Sequence, residues 1–539
     1  MRLSQLTNYI EFAFERIAKT LNAASPYRLL LVLCTFFTVW RAVTLNFMEK
    51  SGDAVWKWGF LRYYAMTDQW YPLYPDHHQG RWGINMPTLG FIELLGDSPF
   101  VYYIYPLLMA LGTGIMLFLI VRRLCSQVAA TMAFLLCMLF PLTVRESTQF
   151  LPMLPAAFYV LCATYLVMRH IASGRILPVF FAGILIGIAY GCKFTSLYWG
   201  AAFLLFFSLF PSGKKTRFKI WKFHFGAEIF IMALGIFLVI VVETLLLNRL
   251  FGTSLGRIEV IMGSHLKSRP NPQYLNFFQY LFSFLRPLDF RGKYFETVPL
   301  IMLFVASLPL AIFQFRKGNK EQRFITLSFL TVYLLHCYMV YKIFPFLHPE
   351  RPHGRYFLIL AVFAIIILSV SWRAGCDELK RRFSKSLVVI AEALFAGMLL
   401  LLMLIRAINQ FGHGEHLFAL LDSERKFAVA KSENLPVLSK IRDREKFLNN
   451  QISSRDFKYG DMWVTFRGPV ELIPQYEKRF FPFKDEQGRL WILLFPQSSI
   501  ILDKPIRCLL LDEFESEITE KRFSALPKEL QIQQTPLVE

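Results

Sequence analysis

The sequence predicts an all-α polytopic membrane protein that ends in a small soluble α/β or α+β domain. Three observations carry this expectation. Of 539 residues, 55% are hydrophobic and only 18% charged, and the mean hydropathy is +0.41; a water-soluble domain of this length carries more charge and fewer long apolar runs. Runs near the roughly 20 apolar residues that cross a bilayer recur through most of the chain. The charge is also divided: from residue 407 onward 19 Lys/Arg stand against 20 Asp/Glu, which leaves 40 basic and 19 acidic residues before it.

Residues 1–26 place Leu6, Ile10, Phe14, Ile17 and Leu21 at helical spacing, with Arg16 and Lys19 among them. This pattern suits either an amphipathic helix on the membrane surface or a plain cytosolic lead-in helix. Spans follow at Tyr27–Leu45, Phe100–Val121, Val128–Val144, Leu154–Met168, Leu177–Gly191, Leu197–Phe210, Phe225–Leu247, Val298–Phe315, Phe324–Tyr341, Tyr356–Ser371 and Leu387–Ile405. That is roughly eleven helices, of which 154–168 and 197–210 are short for a full crossing.

With the amino terminus in the cytoplasm, every short loop on that side is basic. Arg122/Arg123, Arg169/Arg175, Lys214/Lys215, Arg316/Lys317 and Arg381/Arg382 mark them, as the positive-inside rule expects. The net charge of +20 is therefore topology-setting charge, and no groove for nucleic acid is expected. Two long outer loops, 46–99 and 248–297, interrupt the membrane domain of residues 27–406. Loops of that length in a compact protein usually carry function. The tail, 407–539, falls on the outer side and reads as a separate unit, with helix-like pattern at Glu424–Phe447 and strand-like runs at Leu490–Phe495 and Ile506–Leu511. The eight cysteines lie mostly in apolar runs and only Cys508 is in the tail, so no disulfide framework or structural zinc site is expected.

Several residues at the outer ends of the spans could carry chemistry. Asp53, in Ser51-Gly52-Asp53-Ala54, precedes a helix-like segment. It suits a helix N-cap and equally a general base, desolvated by neighbours such as Trp56 and Trp58. His78 and Arg81 lie in Pro75–Gly83; Arg81 could grip a phosphate with its fork or sit in a solvated loop. Lys193 ends a run in which Gly183, Gly187 and Gly191 recur at every fourth position, a bare face against which a neighbouring helix can pack closely. From position alone Lys193 favours snorkelling to headgroups over binding a phosphate. The segment His348-Pro349-Glu350-Arg351-Pro352-His353-Gly354-Arg355-Tyr356 concentrates cations beside a membrane face, suited to a lipid-linked phosphate more than to simple headgroup anchoring.

These segments together resemble the GT-C glycosyltransferases, in particular bacterial relatives of protein O-mannosyltransferases and lipid A aminoarabinose transferases. Gly52-Asp53-Ala54 is similar to the family's acidic motif after the first helix. Arg81 through Pro87, Leu95-Gly96-Asp97-Ser98 and Val121 through Leu124 resemble the pattern that runs into its second helix. Ala182 through Lys193 resembles its glycine-rich helix, and His348 through Tyr356 its late histidine, glutamate and Arg-Tyr element. The likeness covers roughly residues 27–372. It implies a GT-C-like membrane fold and a polyprenyl-phosphate-sugar donor. It also implies inverting transfer to a lipid, glycan or protein acceptor on the periplasmic face of a bacterial inner membrane. Asp53 would be the base, and Lys193, Arg351, Arg355 and Tyr356 would flank the donor phosphate. Arg81, His78, His348 and Glu350 would line the substrate loops. Two positions depart from the family. Met153 stands where a second acidic residue is common early in the fourth helix, leaving Glu146 as the nearest carboxylate, and Ala54 stands in the acidic motif. No cofactor is certain, and a divalent metal ion stays open without a ligand set that the sequence assigns.

Two other classes compete. A transporter or flippase of a lipid-linked intermediate would use ionisable residues within the spans, here Glu243 and Glu392, and usually shows internal repeats, of which none is visible. A non-catalytic scaffold presenting its tail would make the outer loops dispensable.

Overall fold

The apolar runs fold into helices joined largely by short segments. The structure is a computed structural model. It describes residues 19–43, 53–68, 80–98, 100–211, 226–251, 297–338 and 354–382, the strands of the tail, and isolated positions that include His78 and Arg257. The helices are α1 (Pro26–Val43), α2 (Asp53–Thr67), α3 (Trp82–Leu95), α4 (Val101–Leu124), α5 (Gln127–Leu139), α6 (Pro141–Glu146), α7 (Met153–Ser173), α8 (Leu177–Cys192), α9 (Leu197–Leu209), α10 (Ala227–Phe251), α11 (Thr297–Lys317), α12 (Lys320–Tyr338) and α13 (Leu358–Arg382). Five of them, within α4, α7, α10, α11 and α13, are long and apolar enough to cross a membrane, and α5, α8 and α9 are shorter apolar helices. The sequence expectation of eleven spans is thus met in part; its last span, 387–405, lies outside the described residues.

Three expectations are corrected. The span expected at 128–144 breaks at Phe140, whose backbone is extended (φ −63°, ψ 126°). Pro141 forces this, because its ring disfavours helical geometry in the residue before it. The outer loop 46–99 is largely helical, since α2 and α3 lie inside it. The span expected as short at 154–168 extends to the 21 residues of α7, which stops at Gly174 in a left-handed conformation (φ 69°) that glycine adopts without strain.

The glycine face of α8 does what its spacing predicts. Gly183 packs on the α10 backbone at Met232 and Gly235. At Gly187 an added Cβ would lie 2.5 Å from the Val239 Cβ, and at Gly191 2.5 Å from the Trp82 ring. The centre of the bundle is dry and aromatic: the Trp199 and Phe363 rings are 3.9 Å apart. Only 17% of the apolar stretch of α10 is buried inside the protein, against 72% of that of α13. α10 therefore offers its outer face, including Phe230, Leu234 and Phe237, to lipid, while α13 runs through the core.

The loops that the charge pattern assigns to the cytoplasm meet at one end. Arg123 at the close of α4 pairs with Glu321 at the start of α12 (2.7 Å). The Gln127 amide at the start of α5 donates to the Leu21 and Ala24 carbonyls (2.6 and 2.9 Å). Lys320 Nζ donates to the Pro211 carbonyl (3.4 Å). The opposite end collects the starts of α2, α3, α7 and α13 with the close of α8.

The chain divides into two units, Met1–Leu420 and Leu421–Glu539. The second contains a five-stranded sheet of β3 (Val437–Leu438), β4 (Trp463–Arg467), β5 (Phe480–Lys484), β6 (Leu490–Leu494) and β7 (Ile506–Leu510) in the order β3-β4-β7-β6-β5. β3, β4 and β7 are parallel, while β7, β6 and β5 are antiparallel. A two-strand hairpin, β1 (Lys219–Ile220) and β2 (Phe223–His224), lies before α10.

Candidate active site

The glycine-rich helix delivers its lysine by ending where it does. Lys193 is the residue at which α8 turns from helix to extended chain (φ −146°, ψ 125°), and its amide still donates to the Ala189 carbonyl (2.9 Å). The side chain is half-buried, with Nζ 4.3 Å from the centre of the Tyr356 ring. Lys193 thus lies against an aromatic face, whose electrons attract its charge. Tyr356 belongs to the short 3-10 turn Gly354–Phe357 that leads into α13. Its carbonyl accepts a hydrogen bond from His336 Nε2 (3.1 Å), and the His336 ring meets the edge of Tyr198 at 5.3 Å. Two motifs far apart in the sequence, one ending at Lys193 and one at Tyr356, therefore meet. Sequence reasoning missed His336, a lone histidine in an apolar helix with no pattern around it.

His78 and Arg81 come to the same end of the bundle but not as a solvated loop. They are 3% and 6% exposed, and the Asn85 side chain donates to the His78 carbonyl (3.0 Å). Arg81 immediately precedes α3, and Gly83 then packs directly on the end of α8. A Cβ there would lie 2.8 Å from the Cys192 backbone nitrogen, and Tyr105 donates its hydroxyl proton to the Gly83 carbonyl (2.7 Å). The chain that carries Arg81 and the chain that carries Lys193 are thus held against each other.

A second group of buried polar residues lies around α2. Asp53 is the first residue of that helix, where its sequence context predicts a helix start. One turn on, Lys57 is fully buried and donates to the Phe150 carbonyl (2.6 Å). Arg41, 1% exposed, reaches the Thr148 hydroxyl (3.3 Å). Both contacts fasten the first two helices to segment 147–152, which follows Glu146, the last residue of α6 and itself fully buried. Met153, at the position of the family's second acid, opens α7 and is also buried. Nearby, Arg62 pairs with Asp97 (3.2 Å), which also accepts from the Tyr102 hydroxyl (2.7 Å).

The structure brings together Lys193 and Tyr356, and the helix starting at Asp53 with the segment after Glu146. His348, Glu350 and Arg351 lie outside the described residues, as do the side chains of Asp53 and Arg355. Among the described residues no three His, Cys, Asp or Glu side chains gather closely enough to hold a metal ion.

The class these features define is a polytopic helical membrane protein with ionisable side chains gathered at one end of its bundle. Residues 88–257 match the family model described as dolichyl-phosphate-mannose-protein mannosyltransferase. Solved structures of similar shape include ArnT from Cupriavidus metallidurans, at 13% identity over 77% of this chain and 83% of that one, with a TM-score of 0.49. The same protein bound to undecaprenyl phosphate aligns at 12% identity over 78% of this chain and 83% of that one, with a TM-score of 0.49. The Archaeoglobus fulgidus oligosaccharyltransferase aligns at 12% identity over 84% of this chain and 64% of its own length, with a TM-score of 0.47. No curated protein matches the chain.

Proposed function

We propose that this protein is an inverting glycosyltransferase that moves a sugar from a polyprenyl-phosphate-linked donor to a lipid, glycan or protein acceptor on the extracytoplasmic face. The observation that carries the reading is the meeting of Lys193 with Tyr356 at 4.3 Å, because it brings the end of the glycine-rich helix to the residue that closes the late cationic element. Asp53 accepts the proton of an acceptor hydroxyl as that oxygen bonds to the anomeric carbon. The bond from that carbon to the phosphate oxygen breaks, and the electron pair leaves with the polyprenyl phosphate. Lys193, Arg351 and Arg355 offset the charge that grows on the phosphate, in a site where low dielectric strengthens each such interaction. Arg81, His78, His348 and Glu350 line the substrate loops. Glu146 is the second carboxylate within the same end of the bundle.

Of the two acidic residues on which the transporter reading relied, Glu243 forms an ion pair with Arg257 (2.7 Å), and Glu392 lies outside the described residues.

The test is transfer measured by mass spectrometry of membrane glycolipids and glycoproteins from a strain expressing each variant. Asp53→Asn is expected to abolish transfer while leaving expression and thermal stability intact. Wild-type glycosylation by that variant would remove the base, and lipid scrambling in liposomes without sugar transfer would favour the flippase.

A further inference from the structure

The end of α8 raises a question of its own. The last carbonyls of a helix have no partner within it, and here they belong to the turn that carries Lys193. Arg257 supplies the partner from beyond the end of α10. Its guanidinium donates to the carbonyls of Tyr190 and Gly191, the latter at 2.7 Å, and from the same fork to the Gly80 carbonyl. Its Cζ lies 4.9 Å from the Tyr190 ring centre, and Glu243 holds it at 2.7 Å, with 3% and 1% of the two side chains exposed.

We infer that Arg257, charge-paired and held by Glu243, is a positioning residue that caps α8 and fixes Lys193 and the Gly80–Arg81 chain relative to each other. A cation at a helix carboxyl end is favoured by the helix dipole. Only a planar fork reaches acceptors on two chains at once, so lysine cannot replace it. The charge of the guanidinium is met by Glu243, and its two terminal nitrogens donate to the carbonyls of Tyr190, Gly191 and Gly80, so its influence on a bound phosphate runs through Lys193 and the Gly80–Arg81 segment. The inference rests on the donor-phosphate role proposed above for Lys193. It adds that this role depends on an ion pair absent from every motif that the sequence displays.

The test uses the full-length protein in detergent, with undecaprenyl phosphate as the probe and affinity read from quenching of tryptophan fluorescence. Lys193→Ala and Arg257→Lys are each expected to weaken binding by about tenfold, the scale of one or two charge-assisted hydrogen bonds. The double variant should lose clearly less than the product of the two single effects, because the share of the Arg257 effect that runs through Lys193 has nothing left to act on. Glu243→Asp keeps the charge but retracts it, and should give a smaller loss that also shrinks in the Lys193→Ala background. It carries the same test if Arg257→Lys does not fold. Wild-type affinity of the folded Arg257→Lys and Glu243→Asp proteins overturns the inference, as does a double variant that loses the product of both single effects. In both cases a weakened Lys193→Ala leaves the donor-phosphate reading standing. Wild-type affinity in Lys193→Ala overturns the inference together with the role of Lys193 on which it rests.

Discussion

The two ends of the helix bundle use the same side chains in opposite ways. At the end that the charge pattern assigns to the cytoplasm, Arg123 and Glu321 pair at 2.7 Å with 29% and 15% of their side chains exposed. At the other end Arg257 and Glu243 pair at the same 2.7 Å with 3% and 1% exposed, alongside the fully buried Lys57. Water and salt screen the first pair, so it contributes little. The second has shed its water, and removal of either partner strands a charge in a dry interior. Near-identical geometry therefore clasps loops at one end and ties the end of a helix to a neighbouring segment at the other. Burial, more than the count of charges, separates them.

The largest effect expected of any single change lies at the buried end. Asp53→Asn should reduce sugar transfer by about a thousandfold or more, in line with loss of a general base, with the melting temperature unchanged; a competent variant would return Asp53 to the role of a helix start. Glu243→Gln should lower stability by about 3–5 kcal/mol, because the Arg257 charge stays buried without its counterion. Thermal unfolding in detergent reads this loss, and a value below about 1 kcal/mol would make the two ends equivalent. Gly191→Ala should cost about 1–3 kcal/mol by overpacking, since its methyl meets the Trp82 ring, measured in the same way. At the Arg123–Glu321 end, Glu321→Ala should change stability by less than about 1 kcal/mol and vary with ionic strength. A larger, salt-independent loss there would erase the contrast.

Much of this contrast was legible in the residues. The glycines at 183, 187 and 191 announced a bare helix face, and the structure seats it on α10 and Trp82. Pro141 also carried its signal, since a residue before proline avoids the helix, yet the apolar content of 128–144 concealed it. α3 was hidden for the opposite reason: Pro87 lies within it, and helical pattern interrupted by proline reads as loop. Arg257 and His336 left no local trace. A single arginine after a span looks like a headgroup anchor, and a single histidine in an apolar run looks like packing.

By itself the sequence determined that the chain lives in a membrane, which ends of its helices are basic, and which outer segments concentrate reactive groups. Those properties follow from the cost of moving polar groups into hydrocarbon, and that cost is set by composition and spacing along the chain. Tertiary structure alone decided that Lys193 lies against the Tyr356 ring and that Glu243 pairs with Arg257. Pairings of this kind depend on which helices become neighbours, and close packing between bare faces and aromatic rings settles that choice among residues far apart in the chain.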